Sequence, residues 1–379
     1  MRFLMVSDFN EDPDSGAAGS ILVIGKTLER LGHGVDYEWK DPRSRIIPHP
    51  SWSQLAELPR RQRRQVSRRL DSTHYDVVIV SQPYAYLVFE RLAPQHPNTL
   101  FLNRTHGWEA RVYDAYRRFE WDGHRSFPKR AASRTVERAI RRVCARTARS
   151  CQGMIAPASR CADYIARHYK LDPVSVAHIP YGVSEALIQQ PRVRNSENNT
   201  VRLLYVGNYI ALKGTSILEE ILPPLGTRHP SMHLTFVIDD ASVEAVKQRY
   251  TTFGNRLTVS PWVRRDELPG IYANHDVLLH PSLFEGFGKT WMEAMAAGVC
   301  VVGFAEGGLP DLAHHDHDAL FCDAGDKTAL SNLLERCVVE PELPRRLGDN
   351  ARSTIRAYTW ERHAKATVRF CEERRRALV

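Results

Sequence analysis

Short runs of β-branched and apolar residues recur along the whole chain, separated by longer stretches whose apolar positions repeat at helical spacing. These runs predict strands at residues 2–7, 76–81, 99–104, 153–158 and 174–180 in the first half. In the second half they fall at 201–208, 234–239, 257–263, 276–282, 299–305 and 319–323. Most are apolar at every position rather than alternately. A strand of that kind is covered on both faces, and the spacers suit crossover helices, so parallel sheets are expected. Between the halves, Pro180-Tyr181-Gly182 is a turn signal, and residues 189–200 form a polar stretch that reads as a linker. The expected fold class is α/β, two doubly wound Rossmann-like domains with parallel sheets. Ligands bind such sheets beyond the carboxyl ends of the strands, so a cleft between the domains is the natural site.

Composition narrows the class. The 379 residues suit two domains of roughly 100–200 residues each. Hydrophobic content of 43% and charged content of 25% exclude a mainly disordered or fibrous chain. The longest membrane-like run, 77–89, is broken by Ser81, Gln82 and Pro83 and falls short of the ~20 apolar residues a spanning helix needs. The amino terminus passes from Arg2 into a short strand and then acidic residues, which does not read as a secretion signal. Seven scattered cysteines without a CxxC pair suggest neither a disulfide framework nor a zinc cluster, and a reducing cytoplasm is the simplest setting. A formal charge of +8 predicts an anionic partner.

The most informative segment runs from His280 to Gly298. A strand ends near Ser282, a loop with Gly286, Phe287 and Gly288 follows, and a helix is expected from Lys289 to Gly298. The glycines let backbone approach a ligand closely. The unpaired amides at the helix start, with the positive end of the helix dipole, form an anion site suited to a diphosphate. Glu285 lies in the loop and Glu293 in the first turns of the helix, where its side chain tilts back toward the loop. Carboxylates beside a phosphate site are costly unless they accept hydrogen bonds, and sugar and ribose hydroxyls would donate them.

Two glutamates separated by seven residues, set in P-S-x-x-E-G-F-G and E-A-M-A-x-G, resemble the retaining GT-B glycosyltransferases of the family 4 type (glycosyl transferases group 1). Tyr205-Val206-Gly207, followed by Lys213-Gly214, resembles the loop that opens that family's donor domain. Glu267-Leu268-Pro269 with Ala273 and Asp276 resembles the helix before the motif, and Gly307-Gly308-Leu309-Pro310-Asp311 the usual G-G-x-P-E. Met5-Val6-Ser7, Gly16 and Leu31-Gly32-His33-Gly34-Val35 resemble the acceptor-domain opening, and Ile179-Pro180-Tyr181-Gly182-Val183 the hinge.

The resemblance implies an acceptor-binding domain over 1–185, a donor domain over 195–355 and a carboxy-terminal crossover helix at about 358–379. It implies a hexose-type transfer from a nucleoside diphosphate sugar (UDP or GDP) to an acceptor hydroxyl with retention, without a resident cofactor or metal. Lys213 is expected to neutralise the diphosphate, Glu285 to contact the sugar and Glu293 to hold the ribose. Amides from Gly288 to Thr290 are expected on the phosphates, Trp262-Val263 beside the base, and His106 facing the donor sugar. Asn208, after Gly207, stands where many members carry Arg, so one cation is missing that Lys289 or another residue would replace. Gly16-Ala17-Ala18-Gly19 stands for the usual Gly-Gly.

Other patterns read more plainly. His314-His315-Asp316-His317-Asp318 has the residue types of a metal site, but its place between two strands favours a solvated turn. Asp12-Pro13-Asp14 and Asp316-His317-Asp318 spell D-x-D without following a suitable strand. Between Arg117 and Arg149 there are eleven Lys/Arg against three acidic residues. Arg134, Arg138, Arg141, Arg142, Arg146 and Arg149 fall within an arc of about 140° on a helix, with Val136, Ile140, Val143 and Cys144 opposite. Arg60, Arg61, Arg63, Arg64, Arg68 and Arg69 form a second cluster. These stripes are either solvated faces or the footprint of an anionic membrane or lipid-linked diphosphate. No recognition motif for nucleic acid accompanies them. The acceptor is a glycan, a lipid-linked sugar or a soluble small molecule, in envelope glycan, polysaccharide or glycoconjugate synthesis. A nucleotide-sugar epimerase and a noncatalytic binding module are the rival functions.

Overall fold

The computed structural model describes residues 1–40, 47, 52–119, 127–189, 191 and 200–377, with the side chains of 127–132 left aside. The expected linker therefore lies largely outside the described residues. The chain forms two compact units, Met1–Gly182 with Trp360–Val379, and Val183–Thr359.

The first unit holds a six-stranded parallel sheet of β1 (Arg2–Val6), β2 (Gly34–Glu38), β3 (Val77–Ser81), β4 (Leu100–Arg104), β5 (Met154–Ala156) and β6 (Val176–His178). Their order is β2-β1-β3-β4-β5-β6. β3 and β4 are buried at every position, as their unbroken apolar runs require, and Phe3 stands beside Val77 and Val77 beside Leu100. β2 was not expected. It is an edge strand of sequence GVDYE, exposed at Gly34 and half-buried beyond it, so it carries no continuous apolar run to read. The carboxy-terminal helix Trp360–Arg376 belongs to this unit: His363 Nδ1 meets the Pro180 carbonyl at 2.7 Å, and Arg375 pairs with Asp76 at 2.7 Å.

The second unit repeats the architecture with β7 (Val201–Val206), β8 (Met232–Val237), β9 (Leu257–Ser260), β10 (Val277–His280), β11 (Cys300–Phe304) and β12 (Ala319–Cys322). The order is β12-β11-β10-β7-β8-β9, all parallel. The strand order reverses where β10 lies beside β7. Crossovers leave this point in opposite directions, and the loops after both strands open a crevice at their carboxyl ends.

The His314–Asp318 segment is a turn pinned from within. Asp318, fully buried, accepts the His314 amide at 2.6 Å and the Thr354 hydroxyl at 2.8 Å, and Asp316 pairs with Arg336. Asp12 accepts the amide of Asp14 at 2.9 Å in a local turn. All seven cysteines are free. Among the described residues, no helix is long and apolar enough to cross a membrane.

Candidate active site

The crevice at the β7–β10 reversal brings together residues 72 positions apart. After β7, Gly207 and Asn208 lead into a tight turn, Ala211–Lys213, and then the helix Thr215–Arg228. The Asn208 carbonyl accepts the Tyr205 hydroxyl at 2.8 Å. Gly214 has φ +73°, and a Cβ there would sit 1.9 Å from the Pro281 carbonyl oxygen. Only glycine permits both the left-handed turn and the close approach. The Leu283 amide donates to the Leu212 carbonyl at 2.9 Å, so the two loops are joined through their backbones.

This closeness places Lys213 Nζ 2.5 Å from Glu285 Oε1, to which the Ser282 hydroxyl also donates at 3.0 Å. Glu285 is buried. Burial alone would push its carboxyl up, but the Lys213 ammonium, with His280 and the Ser282 hydroxyl, outweighs that and holds it below the usual range. Beneath the pair, burial lowers the imidazole of His280 to about 4, so that ring is neutral near pH 7.

The glycine loop is equally braced. Gly288 has φ +91° and lies against the Trp291 indole, which donates to the Phe287 carbonyl at 2.8 Å. The Gly308 amide reaches the same carbonyl at 2.9 Å. Gly286 and Gly288 are only half-buried, while Phe287 is turned into the core. The helix runs Lys289–Ala296, and Gly298, at φ +79°, closes it in the left-handed conformation common after helix ends. Lys289 and Thr290 stand half-buried in its first turn.

Glu293 projects from that helix and is held on both oxygens. Arg265 Nη2 donates to Oε1 at 3.1 Å and the Tyr272 hydroxyl to Oε2 at 3.3 Å. Neither partner was singled out in the sequence. The available signal is the segment Trp262-Val263-Arg264-Arg265, in which two arginines directly follow the residues expected beside the base. Trp262, beyond β9, is 47% exposed, and Val263 is half-buried.

His106 and Gly16 lie in the first unit. His106 follows β4; its Nδ1 meets the Tyr181 hydroxyl at 2.8 Å, and its backbone amide donates to Gln82 Oε1 at 3.2 Å. Gln82 itself has φ +65°, a strained conformation for a non-glycine residue. Gly16 opens the helix Gly16–Arg30, whose cap is the Ser15 side chain, and a Cβ on Gly16 would meet nothing within 4 Å. Among the described residues, no group of three His, Cys, Asp or Glu side chains could hold a metal ion.

Two doubly wound parallel sheets, the second with a lysine–glutamate pair at its reversal point beside a glycine-led helix terminus, are the architecture of a GT-B protein. Residues 15–187 match Glycosyltransferase Family 4 and residues 188–354 match Glycosyl transferases group 1, and the chain belongs to this family of glycosyltransferases. It is 30% identical over 178 residues to the D-inositol 3-phosphate glycosyltransferase of Corynebacterium jeikeium, covering 45% of this chain and 42% of that protein. The chain spans about half the length of the curated relatives it matches. Among solved structures it resembles a sucrose-phosphate synthase from Thermosynechococcus elongatus, with TM-score 0.79, 20% identity and coverage of 98% and 99% of the two chains. It also resembles Anabaena HepE in complex with UDP, with TM-score 0.68, 17% identity and coverage of 97% and 99%.

Proposed function

We propose that the protein transfers a hexose-type sugar from a nucleoside diphosphate sugar to an acceptor hydroxyl with retention of anomeric configuration. The observation that carries this reading is the Lys213–Glu285 pair at the strand reversal, beside the amino end of Lys289–Ala296. An ion pair between a buried carboxylate and a half-buried ammonium holds its two charges ready, and a diphosphate offers the ammonium a stronger anion. Lys213 then passes from carboxylate to phosphate, and Glu285 is freed to accept hydroxyls of the sugar. Negative charge grows on the diphosphate as it departs. Preorganised donors aimed at that charge can be the largest catalytic contribution, and Lys213 with the amides of Gly288, Lys289 and Thr290 are such donors. This cationic set serves in place of a divalent metal. Glu293 receives the ribose hydroxyls, Trp262 and Val263 flank the base, and Gly207 and Asn208 line the backbone of the phosphate loop. In the first unit, which we assign to the acceptor, His106 faces the donor sugar and the turn at Gly16 contacts the nucleotide sugar. No protein base is assigned, because in a retaining transfer a leaving-group oxygen takes the acceptor's proton.

UDP is favoured as donor nucleotide because HepE binds it in the same fold, with GDP next. The acceptor falls in the class of glycans, lipid-linked sugars or small polyols of envelope and glycoconjugate synthesis. Exposed arginines on the helix Phe127–Ser150 supply a peripheral contact with an anionic membrane on the cytoplasmic side. The test is a thermal-shift panel of UDP, GDP and ADP with their sugars, since a ligand of the native state raises its apparent stability, followed by transfer assays on the one that binds. Lys213→Ala is expected to lower transfer at saturating donor by at least about 100-fold. Near-normal transfer by Lys213→Ala would remove the proposed role, and no shift with any nucleotide would remove the reading.

A further inference from the structure

The loop after β9 carries two consecutive arginines that the fold sends in opposite directions. Arg264 stays outside. Its guanidinium lies 3.1 Å from Asp266, and its backbone amide donates to Glu267 at 2.9 Å. Arg265 turns inward and ends 3.1 Å from the carboxylate of Glu293, 28 residues further along the chain. The other oxygen of that carboxylate takes the hydroxyl of Tyr272, a fully buried residue on the helix Leu268–Ala273.

This arrangement has a definite consequence for hydrogen bonding. A carboxylate has two oxygens with about four lone-pair sites. Here each oxygen has one of those sites taken by a protein donor, and each keeps another. The carboxylate is thereby locked in one orientation, with one acceptor site left on each oxygen. A vicinal diol, which presents two hydroxyl donors side by side, matches that pattern. The guanidinium does more than orient. Glu293 is buried, and a buried charge is costly unless it is paired and hydrogen-bonded. Tyr272 donates as a neutral hydroxyl, so Arg265 is the cation paired with this carboxylate.

We infer that Arg265 is a positioning residue that sets the Glu293 carboxylate to receive both ribose hydroxyls of a nucleoside diphosphate, and so lets the protein choose ribo- over deoxyribonucleotides. The inference rests on the assignment of Glu293 to the ribose.

Calorimetric titration with UDP and 2′-deoxy-UDP, and with GDP and 2′-deoxy-GDP, tests it on the whole chain. The wild type is expected to bind one ribonucleotide at least about tenfold tighter than its deoxy form, as for loss of a hydrogen bond to a charged group. Arg265→Gln is expected to weaken the ribonucleotide about tenfold while leaving the deoxy form nearly unchanged, so that the preference collapses. Arg265→Lys, which keeps the charge, is expected to restore part of it. The melting temperature of each variant reports folding independently. If Arg265→Gln weakens both forms equally and keeps the full preference, Arg265 serves the phosphates or the fold and the inference is overturned. If the wild type binds the two forms equally, the ribose role of Glu293 fails first and the inference with it. That outcome is recognised because Glu293→Gln then also leaves the ratio at one.

Discussion

The two units share an architecture but treat charge at their strand ends in different ways. In the second unit each site carboxylate has its cation, Lys213 on Glu285 and Arg265 on Glu293. In the first unit, buried polar atoms stand without hydrogen-bond partners among the described residues. Asp8 Oδ1 follows β1, Glu109 Oε2 opens the helix Glu109–Arg118, and Arg104 Nε and Nη1 end β4. Burial pushes the Asp8 carboxyl up to about 7. Burial, with the nearby Asp8 charge, pushes Glu109 well above the carboxylate range. A matched site is set before its ligand arrives and depends on exact backbone closeness. An unmatched set costs stability and makes that cost depend on pH.

The dependence on closeness is the easiest half to break. In Gly214→Ala the new methyl would lie 1.9 Å from the Pro281 carbonyl oxygen, and φ +73° is unfavourable for alanine. A backbone carbonyl tied to its strand has nowhere to move, so the turn that carries Lys213 must shift. We expect a loss of about 3 kcal/mol or more from the second unit, in the range of strained backbone combined with overpacking. Nucleotide binding should fall with it. Calorimetric melting that leaves the second unit's transition unchanged would show that the two loops are not locked together.

How far the sequence disclosed this contrast follows from the range of each interaction. Strands such as Val77–Ser81 and Cys300–Phe304 were legible because burial on both faces imposes a continuous apolar run. Gly34–Glu38 was not, because an edge strand half open to solvent needs no such run. Glu285, Gly288 and Glu293 announced themselves within one short segment, since loop and helix terminus are local structures. Arg265 and Tyr272 act through pairings 28 and 21 residues distant, and Tyr181 meets His106 across 75. Nothing local distinguishes Arg265 from Arg264; only the folded loop sends one to Glu293 and the other to Asp266. The unmatched Asp8 was equally silent, because an acidic residue after a strand reads as exposed until the neighbouring elements cover it.

The second contrast is sharpened by Asp8→Asn. In the folded protein Asp8 keeps its proton up to about pH 7, whereas the unfolded chain releases it near 3.8. Between those values the native state binds more protons, so stability falls as pH rises and the loss is complete above 7. His363, lowered to about 3 by burial, acts the other way and costs stability as pH falls below 6.5. The variant-minus-wild-type difference cancels that background. Asparagine does not ionise, so its advantage in melting temperature should widen by roughly 4–8 °C between pH 5 and pH 8, as expected for about 2 kcal/mol in a domain of this size. A difference that stays flat across this range would show that Asp8 is already charged in the folded state.

The smallest effect concerns the same contrast on the surface of the first unit. On the helix Phe127–Ser150, Arg146 is matched: it grips Glu90 at 2.5 Å, and its guanidinium lies 3.8 Å from the Tyr86 ring centroid. Arg141 pairs with Glu137 and Asp114. Arg138 and Arg142, one or two turns away, are exposed and have no ion pair among the described residues. A charge already neutralised by its neighbours has little to offer an anionic bilayer, whereas a free one contributes about 1 kcal/mol near such a surface. Arg138→Gln with Arg142→Gln should therefore weaken binding to phosphatidylserine vesicles by roughly tenfold or more at low salt. Melting temperature should be almost unchanged, as for exposed substitutions. Arg146→Gln should do the reverse, lowering stability slightly and leaving vesicle binding nearly intact. Equal vesicle affinity for all three proteins in a sedimentation assay would mean that the unmatched arginines are a solvated face, and that charge matching in this unit has no bearing on where the protein binds.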